Sequence, residues 1–199
     1  KRLLPKVFRD ENHIDEIKGV YVPFWTFDCD CDASINYDAQ QTTMWSDSKY
    51  DYVKTDHYRL LRSGSVGFAN IPVDGSKKAD DAYMEAVEPY DYSEAVDFNA
   101  AYLSGYLADK YDVSAEESIA RANERVKNST ESVFRQTTST YESVVASQSS
   151  IRFSGGKIRY ALLPVWMLNI KYLDKMYAFA INGQTGKVVG EYPVDQKKK

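Results

Sequence analysis

The sequence contains few of the residues on which metal and redox chemistry depends. Its 199 residues include only two cysteines, Cys29 and Cys31, and two histidines. Two cysteines cannot form a disulfide framework or a four-cysteine zinc site, and their spacing matches neither a Cys-x-x-Cys redox pair nor a zinc knuckle. We expect both to be buried, reduced thiols on one face of a strand.

Other hallmarks are missing as well. No apolar run approaches the roughly 20 residues of a membrane-spanning helix, and the chain has neither an initiator methionine nor a signal-peptide pattern. It has no Gly-x-x-x-x-Gly-Lys-Ser/Thr phosphate loop, and no serine occupies a nucleophile elbow. We therefore expect a protein that is not an enzyme, with no catalytic residues and no cofactor, and soluble as this fragment.

Apolar residues are plentiful, and acidic charge is concentrated in the middle of the chain. The apolar share is 43%, and 16 tyrosines contribute to an aromatic share of 14%, so a packed core is expected. The formal net charge is −4, yet between Asp80 and Glu117 eleven acids accompany a single base, Lys110. Such a segment repels phosphate backbones, so direct nucleic-acid binding by this fragment is not expected. A solvated surface and a docking site for a basic protein partner, with Asp80, Asp81 and Glu85 as its acids, are both consistent with it.

Alternating apolar and polar residues predict strands at both ends of the chain. One β-rich run begins at Ile17, and a second extends from Met44 to Ile71, with a tight hairpin turn predicted at residues 62–65. Further turns are predicted from glycine-rich and polar clusters at residues 154–157, 173–175 and 182–186.

The middle of the chain has the pattern of helices. Residues 80–88 predict a short helix, and apolar residues at fourfold spacing predict another over residues 98–110. Ser114 and Glu117 have the spacing of a capping box, from which a helix to about residue 135 is expected.

An internal repeat relates the two β-rich ends. Residues 17–28 align with residues 158–169, with agreement at the Ile, basic, Pro, Trp and Asp/Asn positions. A Pro-Val-Asp follows each copy, at residues 72–74 and 193–195. We predict an α+β fold with antiparallel β-sheets, built from two related β units with a helical block inserted between them. The chain is expected to be one domain, with β units at about residues 17–75 and 140–195 and the helical insert at about 79–135.

The repeated proline and tryptophan positions predict local structure. Pro23 and Pro164 cannot donate to a ladder of hydrogen bonds, so each is expected at a bulge or on an edge strand. Trp25 and Trp166 are expected to be large anchors of the core near those irregular positions.

Three carboxylates form the sharpest cluster of polar residues. Asp28, Asp30 and Asp32 share one face of a predicted strand because side chains alternate with period two. They could form a solvated face opposite lysine or arginine, or bind a hard divalent cation with help from other strands.

Two resemblances add context. Residues 177–190 resemble the closing hairpin of PepSY-type domains. A second resemblance spans nearly the whole chain, to uncharacterised bacterial zinc-ribbon-containing membrane proteins. It rests on Lys1–Phe8, Ile17–Trp25, Ile71–Ser76, Glu88–Tyr92, Gly105–Asp112 and Ala161–Trp166.

The second resemblance implies a place within a longer protein. In that family a zinc ribbon precedes this domain and a transmembrane segment follows it, and some members carry names that suggest a primosomal helicase or a polymerase subunit. The chain has neither the ribbon cysteines nor the hydrophobic tail, so the resemblance implies a middle domain. If a membrane helix follows, Lys197–Lys199 are its positive flank, which places the domain at the cytoplasmic face of the membrane.

These observations favour a non-enzymatic protein-interaction or scaffold domain of a membrane-tethered zinc-ribbon protein. Its protein partner is unknown, and its membrane attachment is expected only through a C-terminal segment outside this chain. A ligand or divalent-cation sensor that uses Asp28, Asp30 and Asp32 is one alternative. An accessory domain of a nucleic-acid-processing protein is the other.

Overall fold

The computed structural model describes residues 14–78, 80–172 and 175–192. In chain order the strands and α-helices are β1 (Ile14–Ser46), β2 (Asp51–Asp74), α1 (Asp81–Ala86), β3 (Leu107–Ala108), α2 (Ala115–Gln136), β4 (Ser143–Tyr172), β5 (Lys175–Asn182) and β6 (Val188–Gly190). Two short 3-10 turns, Tyr92–Glu94 and Ala100–Leu103, lie between α1 and β3.

The strands form one sheet in the order β2-β1-β4-β5-β6, and β3 adds to β1 in parallel. The remainder of the sheet is mostly antiparallel, and the helices fall between its strands in the chain. The predicted α+β class with antiparallel sheet is therefore confirmed at this level, although strands dominate. Among the described residues, no helix is long and apolar enough to cross a membrane.

Two of the predicted helices are present: the one predicted over residues 80–88 is α1, and the one predicted to begin at the capping box is α2. The Asp80 side chain accepts hydrogen bonds from the backbone N–H groups of Ala82 and Tyr83, and α1 follows it. Ser114 and Glu117 form the capping box: the Ser114 N–H donates to the Glu117 carboxylate at 2.7 Å, and the Glu117 N–H donates to the Ser114 hydroxyl at 3.2 Å. These bonds satisfy amide groups that the first turn of a helix leaves without partners.

The helix predicted over residues 98–110 is absent, so that prediction was wrong. Asn99 instead caps the second 3-10 turn, its side chain accepting from the Ala101 N–H at 2.9 Å. Gly105 then adopts a φ of +84°, which ends any helical path. The following residues, Leu107–Ala108, pair with β1. The fourfold apolar spacing does not mark a core-facing stripe here, because Phe98 stays 68% exposed.

Two predicted hairpin turns were also wrong. Residues 62–65 and 154–157 lie inside β2 and β4, which run through them without interruption. The turn after β1 is at residues 47–50 instead, where the Asp47 N–H donates to the Tyr50 carbonyl at 2.9 Å. The predicted turn at residues 182–186 is confirmed between β5 and β6. Of the turn predicted at residues 173–175, the first two residues lie outside the described part of the chain.

Residue contacts divide the chain into two compact units. Unit 1 comprises the residues up to Trp25, Pro72–Ser118 and the residues from Arg159 onward, and unit 2 comprises Thr26–Ile71 and Ile119–Ile158. Both units contain parts of β1, β2 and β4. Their boundaries differ from the three predicted segments, and the single-domain organisation over residues 1–199 stays a prediction.

In unit 1, α1 packs on the sheet through the buried residue Met84, and Val87, the residue after the helix, is buried in the same core. Asn182 at the end of β5 is also buried, and its amide donates to the carbonyls of Val87 and Pro89 at 3.0 Å each. The rest of this core comes from β1, β4, β5 and the residue after Pro89: Val22, Phe24, Tyr90, Leu163, Val165 and Ala180.

In unit 2, the core forms between the sheet and α2. Every second residue of β1 is buried here, and these residues are Ala33, Ile35, Tyr37 and Ala39. They pack with Leu60 of β2, Phe134 of α2 and Val144 of β4. Because side chains alternate along a strand, the even-numbered residues of this stretch lie on the other sheet face.

The two repeated prolines lie on interior strands. Pro23 is in β1 and Pro164 is in β4, which both lie inside the strand order of the sheet, and the bulge or local edge expected at each proline stays a prediction. Each carbonyl accepts a hydrogen bond from a glycine at the end of the neighbouring strand: from Gly75 at 2.9 Å and from Gly183 at 2.8 Å. The Pro-Val-Asp at residues 193–195 lies outside the described residues.

The two repeated tryptophans are half-buried within aromatic groups. The ring of Trp25 lies 5.0 Å from that of Tyr111 and 5.1 Å from that of Tyr160, and its Nε1–H donates to the Val113 carbonyl at 2.9 Å. The ring of Trp166 lies 5.6 Å from that of Tyr106. Both are anchors of unit 1. The sequence predicted them to be in the core, whereas each is only half-buried.

Candidate functional site

The structure places Asp28, Asp30 and Asp32 along β1. Asp28 accepts a hydrogen bond from the backbone N–H of Asn70 at 2.8 Å, and Asp32 accepts one from the Ser65 hydroxyl. Asp30 lies between two glycines. A Cβ added to Gly67 would be 3.3 Å from one Asp30 carboxylate oxygen, and one added to Gly155 would be 3.7 Å from the other.

These contacts bear on the hypothesis of a cation site. Successive carboxylates on one face of a strand are roughly 7 Å apart, which is too far for one ion to bridge them unaided. Among the residues that the structure describes, no group of three His, Cys, Asp or Glu side chains is arranged to hold a metal ion. Cation binding by this row stays a prediction, which the titration in the Discussion tests.

Of the two cysteines, which were both predicted to be buried, Cys31 is buried and Cys29 is only partly buried. Cys31 is fully buried, and the Thr130 hydroxyl of α2 lies 3.5 Å from its sulfur. Burial raises the pKa of Cys29 above its ordinary value, and the neighbouring Cys31 and Asp30 raise it further. A raised pKa keeps a thiol protonated, so Cys29 lacks the thiolate character that reactive cysteines require.

An open cavity of about 430 Å³ lies on unit 2. Two of its lining residues form an exposed ion pair, with 3.7 Å between Arg59 Nε and an Asp38 carboxylate oxygen. His57 is the only imidazole in the lining. The lining is formed by Asp38, Ala39, Gln40, His57, Tyr58, Arg59, Ser143 and Val145.

The hairpin of β1 and β2 extends past the other elements of unit 2. The Glu142 N–H, just before β4, donates to the Gln40 carbonyl at 3.1 Å, so β4 begins at this level. Beyond it, residues 41–57 form a two-stranded extension that we call the ribbon. In this part of the described structure, each of its strands has only the other as a β neighbour.

Aromatic side chains cover the end of the ribbon. Trp45 stacks on Tyr52 with 5.3 Å between ring centroids and an interplanar angle of 11°, and Tyr50 meets Tyr52 edge-on. Met44 is 73% and Tyr50 65% exposed. Asp47 orders the turn, because its carboxylate accepts from the N–H groups of Lys49 and Tyr50 and from the Tyr52 hydroxyl. These hydrogen bonds, the one from Lys49 above all, hold the pKa of Asp47 below its usual range.

The predicted acidic partner surface lies in unit 1. Asp80 is occupied as the cap of α1, whereas Asp81 and Glu85 are exposed on the helix. The Gln184 amide orders the chain that follows α1: its Oε1 accepts from the Asp91 N–H at 2.6 Å, and its Nε2 donates to the Glu94 carboxylate.

Four large apolar side chains in the same acidic stretch of sequence are more than half exposed. They are Val96 at 70%, Phe98 at 68%, Tyr102 at 54% and Leu107 at 55% exposure. The sequence did not indicate that these residues are exposed, because their spacing suggested a helix that packs on the core.

The ribbon was not predicted from the sequence either, although Asp47 and Ser48 between two alternating runs are a turn signal.

Comparisons with known proteins reveal one informative similarity. A Bacillus subtilis (strain 168) protein named "Uncharacterized protein YdjG" is 37% identical to the chain over 196 residues. The match covers 98% of this chain and 58% of the relative, so the chain spans less than two thirds of that protein's length. No protein-family model matches the chain, and no solved structure matches it.

Proposed function

We propose that the chain is a non-enzymatic protein-interaction domain whose partner surface lies in residues 80–117. The observation that carries this proposal is the exposure of Val96, Phe98, Tyr102 and Leu107 within that acidic stretch. Soluble proteins rarely expose a contiguous apolar patch unless it binds something, so the proposal requires that these four side chains lie together in one patch. Aromatic anchors surrounded by polar residues are typical of protein–protein interfaces.

The charge of the segment indicates what kind of partner it fits. Eleven acids and one base lie between Asp80 and Glu117, so a basic surface with apolar side chains is the complement. Of the three acids predicted to face the partner, Asp80 is engaged as a helix cap. Asp81 and Glu85 are therefore the pair on which we expect the electrostatic contribution to depend.

We also propose that this domain works inside a longer, membrane-tethered zinc-ribbon protein, at the cytoplasmic face of the membrane. The family resemblance supports this context, and so does the additional length of the Bacillus subtilis relative. Sequencing the full reading frame tests it. Paired cysteines before residue 1 and an apolar segment after residue 199 are expected. Any nucleic-acid role would then belong to the zinc ribbon of the longer protein, since the acidic segment of this chain repels phosphate.

The finer architecture that we propose is two related β units. Two similar hydrogen bonds support it, from Gly75 to Pro23 and from Gly183 to Pro164. The two tryptophans also lie beside equivalent positions of the repeat, as a local twofold axis requires. Trp25 contacts Tyr160. In the repeat, Trp166 corresponds to Trp25 and Gly19 corresponds to Tyr160. A Cβ added to Gly19 would lie 3.2 Å from the Trp166 ring.

A capture experiment with matched variants tests the interaction surface. The chain is immobilised and exposed to lysate of its host, and bound proteins are quantified by mass spectrometry. Phe98→Ser and the double variant Asp81→Lys/Glu85→Lys are expected to lose the same basic partner.

The double variant Glu124→Lys/Glu191→Lys makes the same charge change at exposed sites outside the segment and should retain that partner. Circular dichroism and melting curves verify that every variant folds. Equal recovery on the wild type and on the segment variants would contradict the proposed surface.

A further inference from the structure

The outer edge of the ribbon offers unused backbone hydrogen-bonding groups. β2 is the last strand of the sheet in the described part of the structure. The Tyr50 carbonyl accepts from the Asp47 N–H and thus faces β1. Because alternate residues of an antiparallel strand face the same neighbour, the odd-numbered residues from Asp51 to Arg59 direct their N–H and C=O groups outward.

The contacts across the ribbon and below it confirm this register. Residues whose numbers add to 97 lie opposite one another: Trp45 stacks on Tyr52, and Asp38 pairs with Arg59. Farther along the hairpin, the Ser63 hydroxyl donates to that of Ser34 at 3.0 Å, which follows the same sum. The alternation therefore continues without a bulge through residues 51–59.

The sequence of this edge is complementary to itself in the antiparallel direction. Residues 51–59 read Asp-Tyr-Val-Lys-Thr-Asp-His-Tyr-Arg. Reversed about Thr55, the segment places Asp51 opposite Arg59 and Lys54 opposite Asp56. It also places Tyr52 opposite Tyr58. Opposite charges and aromatic pairs at directly opposed positions are the cross-strand combinations that stabilise antiparallel sheets.

We propose that two copies of this chain associate by antiparallel pairing of their β2 edges, around a twofold axis at Thr55. A twofold antiparallel pair must be centred on a residue, because opposed residues must both face the partner strand or both face away. Thr55 satisfies this condition and faces outward. The two Thr55 residues therefore exchange N–H to carbonyl hydrogen bonds.

The ribbon has a physical reason to bind a second copy. A two-stranded hairpin alone is only marginally stable in water, and the pairing converts two ribbons into four adjacent strands. Proteins usually protect an open edge with charges that repel another strand. Here Lys54 and Asp56 lie 2.9 Å apart within one copy. In the antiparallel second copy the order of these two residues is reversed. The four side chains, two from each copy, therefore alternate in charge around the axis.

The oligomeric state tests this pairing. Sedimentation equilibrium of the purified chain is expected to give a dimer at micromolar concentration. The carboxylate introduced by Lys54→Asp faces Asp56 of the second copy at two symmetry-related positions. The resulting repulsion should raise the dimer Kd roughly tenfold or more. Asp56→Lys should do the same, and the double swap Lys54→Asp/Asp56→Lys should restore the wild-type Kd. Lys49→Asp, the same charge change in the turn, is the matched control and should leave the Kd unchanged.

A cross-link locates the axis. Opposed residues of a hydrogen-bonded pair have Cα atoms about 5.5 Å apart, within disulfide range. Thr55→Cys should therefore give a covalent dimer with a mild thiol oxidant. Thr43→Cys, at an exposed threonine on the other strand of the ribbon, should form no covalent dimer, and neither should the wild type with its two native cysteines.

Three results would overturn the proposal, and folding is verified for each variant by circular dichroism. The first is a wild type that stays monomeric at several hundred micromolar, which would leave the edge to some other partner. The second is a double swap that dimerises as weakly as the single variants. The third is equal cross-linking at residues 43 and 55. The proposed partner surface of unit 1 is unaffected by these outcomes, since its variants and measurements are separate.

Discussion

The backbone N–H of Gly183 donates to the carbonyl oxygen of Pro164 at 2.8 Å, in a contact that leaves no space for a side chain. A Cβ at this glycine would lie 2.7 Å from the proline Cβ and 2.9 Å from its carbonyl oxygen. The corresponding bond from Gly75 to Pro23 is looser, with 3.4 Å between the added Cβ and that oxygen. Each bond joins the end of one strand to a proline in an interior strand.

Gly183→Ala is expected to destabilise the protein by about 2 kcal/mol or more, because the new methyl group meets backbone that cannot move freely. Gly75→Ala should cost less, since its neighbours need to shift by only a few tenths of an ångström. Gly64→Ala is the control: its Cβ would be 3.7 Å from Phe134, in ordinary contact. Urea denaturation measures all three, and equal free energies of unfolding for Gly183→Ala and Gly64→Ala would contradict the steric argument.

Asn182→Ala is expected to lower the free energy of unfolding by about 2 to 4 kcal/mol. The side chain is 1% exposed. It donates to the carbonyls of Val87 and Pro89, and its Oδ1 accepts from the N–H groups of Gln184 and Thr185 at 2.8 Å each. Alanine leaves these groups without their partner. Asn36→Ala, an amide with a single exposed bond to Gln148, should cost well under 1 kcal/mol. Similar losses in the two variants would refute the role assigned to Asn182.

Tyr90 should make the protein sensitive to alkaline pH. Burial raises its pKa well above the ordinary value of 10, and the nearby Tyr92 and Glu88 raise it further. Below pH 10 the phenol is neutral in both states, and stability is complete. Above pH 10 the unfolded chain loses this proton first, so the free energy of unfolding falls as pH rises toward the folded-state pKa. Tyr90→Phe should reduce this fall between pH 10 and 12, as measured by urea denaturation. An unchanged pH dependence would disprove the effect.

Calcium or magnesium at millimolar concentration is expected to leave the melting temperature unchanged. Asp28 and Asp32 already accept hydrogen bonds from Asn70 and Ser65, and consecutive carboxylates of the row are too far apart to share an ion. Calorimetric titration measures this directly. Heat and a thermal shift in the wild type, both lost in Asp30→Asn, would establish the sensor hypothesis instead.

Short-range features of this protein were predictable from the sequence because their partners are close along the chain. The capping box of Ser114 and Glu117 closes over three residues, and the cap of α1 at Asp80 closes over two or three. The turn at residues 182–186 depends on Asn182 accepting from residues two and three positions later. The strand alternation that set Asp28, Asp30 and Asp32 on one face is equally local.

What only the tertiary structure decided depends on residues that are distant in sequence. The glycines at 64 and 155 read as turns, yet both lie inside long strands, and Gly155 does so with a φ of +67° that residues with a side chain rarely adopt. The spacing from Phe98 onward reads as a helix, but pairing of Leu107 and Ala108 with β1 takes precedence. A pattern records which residues are apolar, whereas the core and the strand neighbours determine whether those residues are buried. For that reason the exposed ribbon and the exposed apolar side chains of the acidic segment could be identified only from the folded chain.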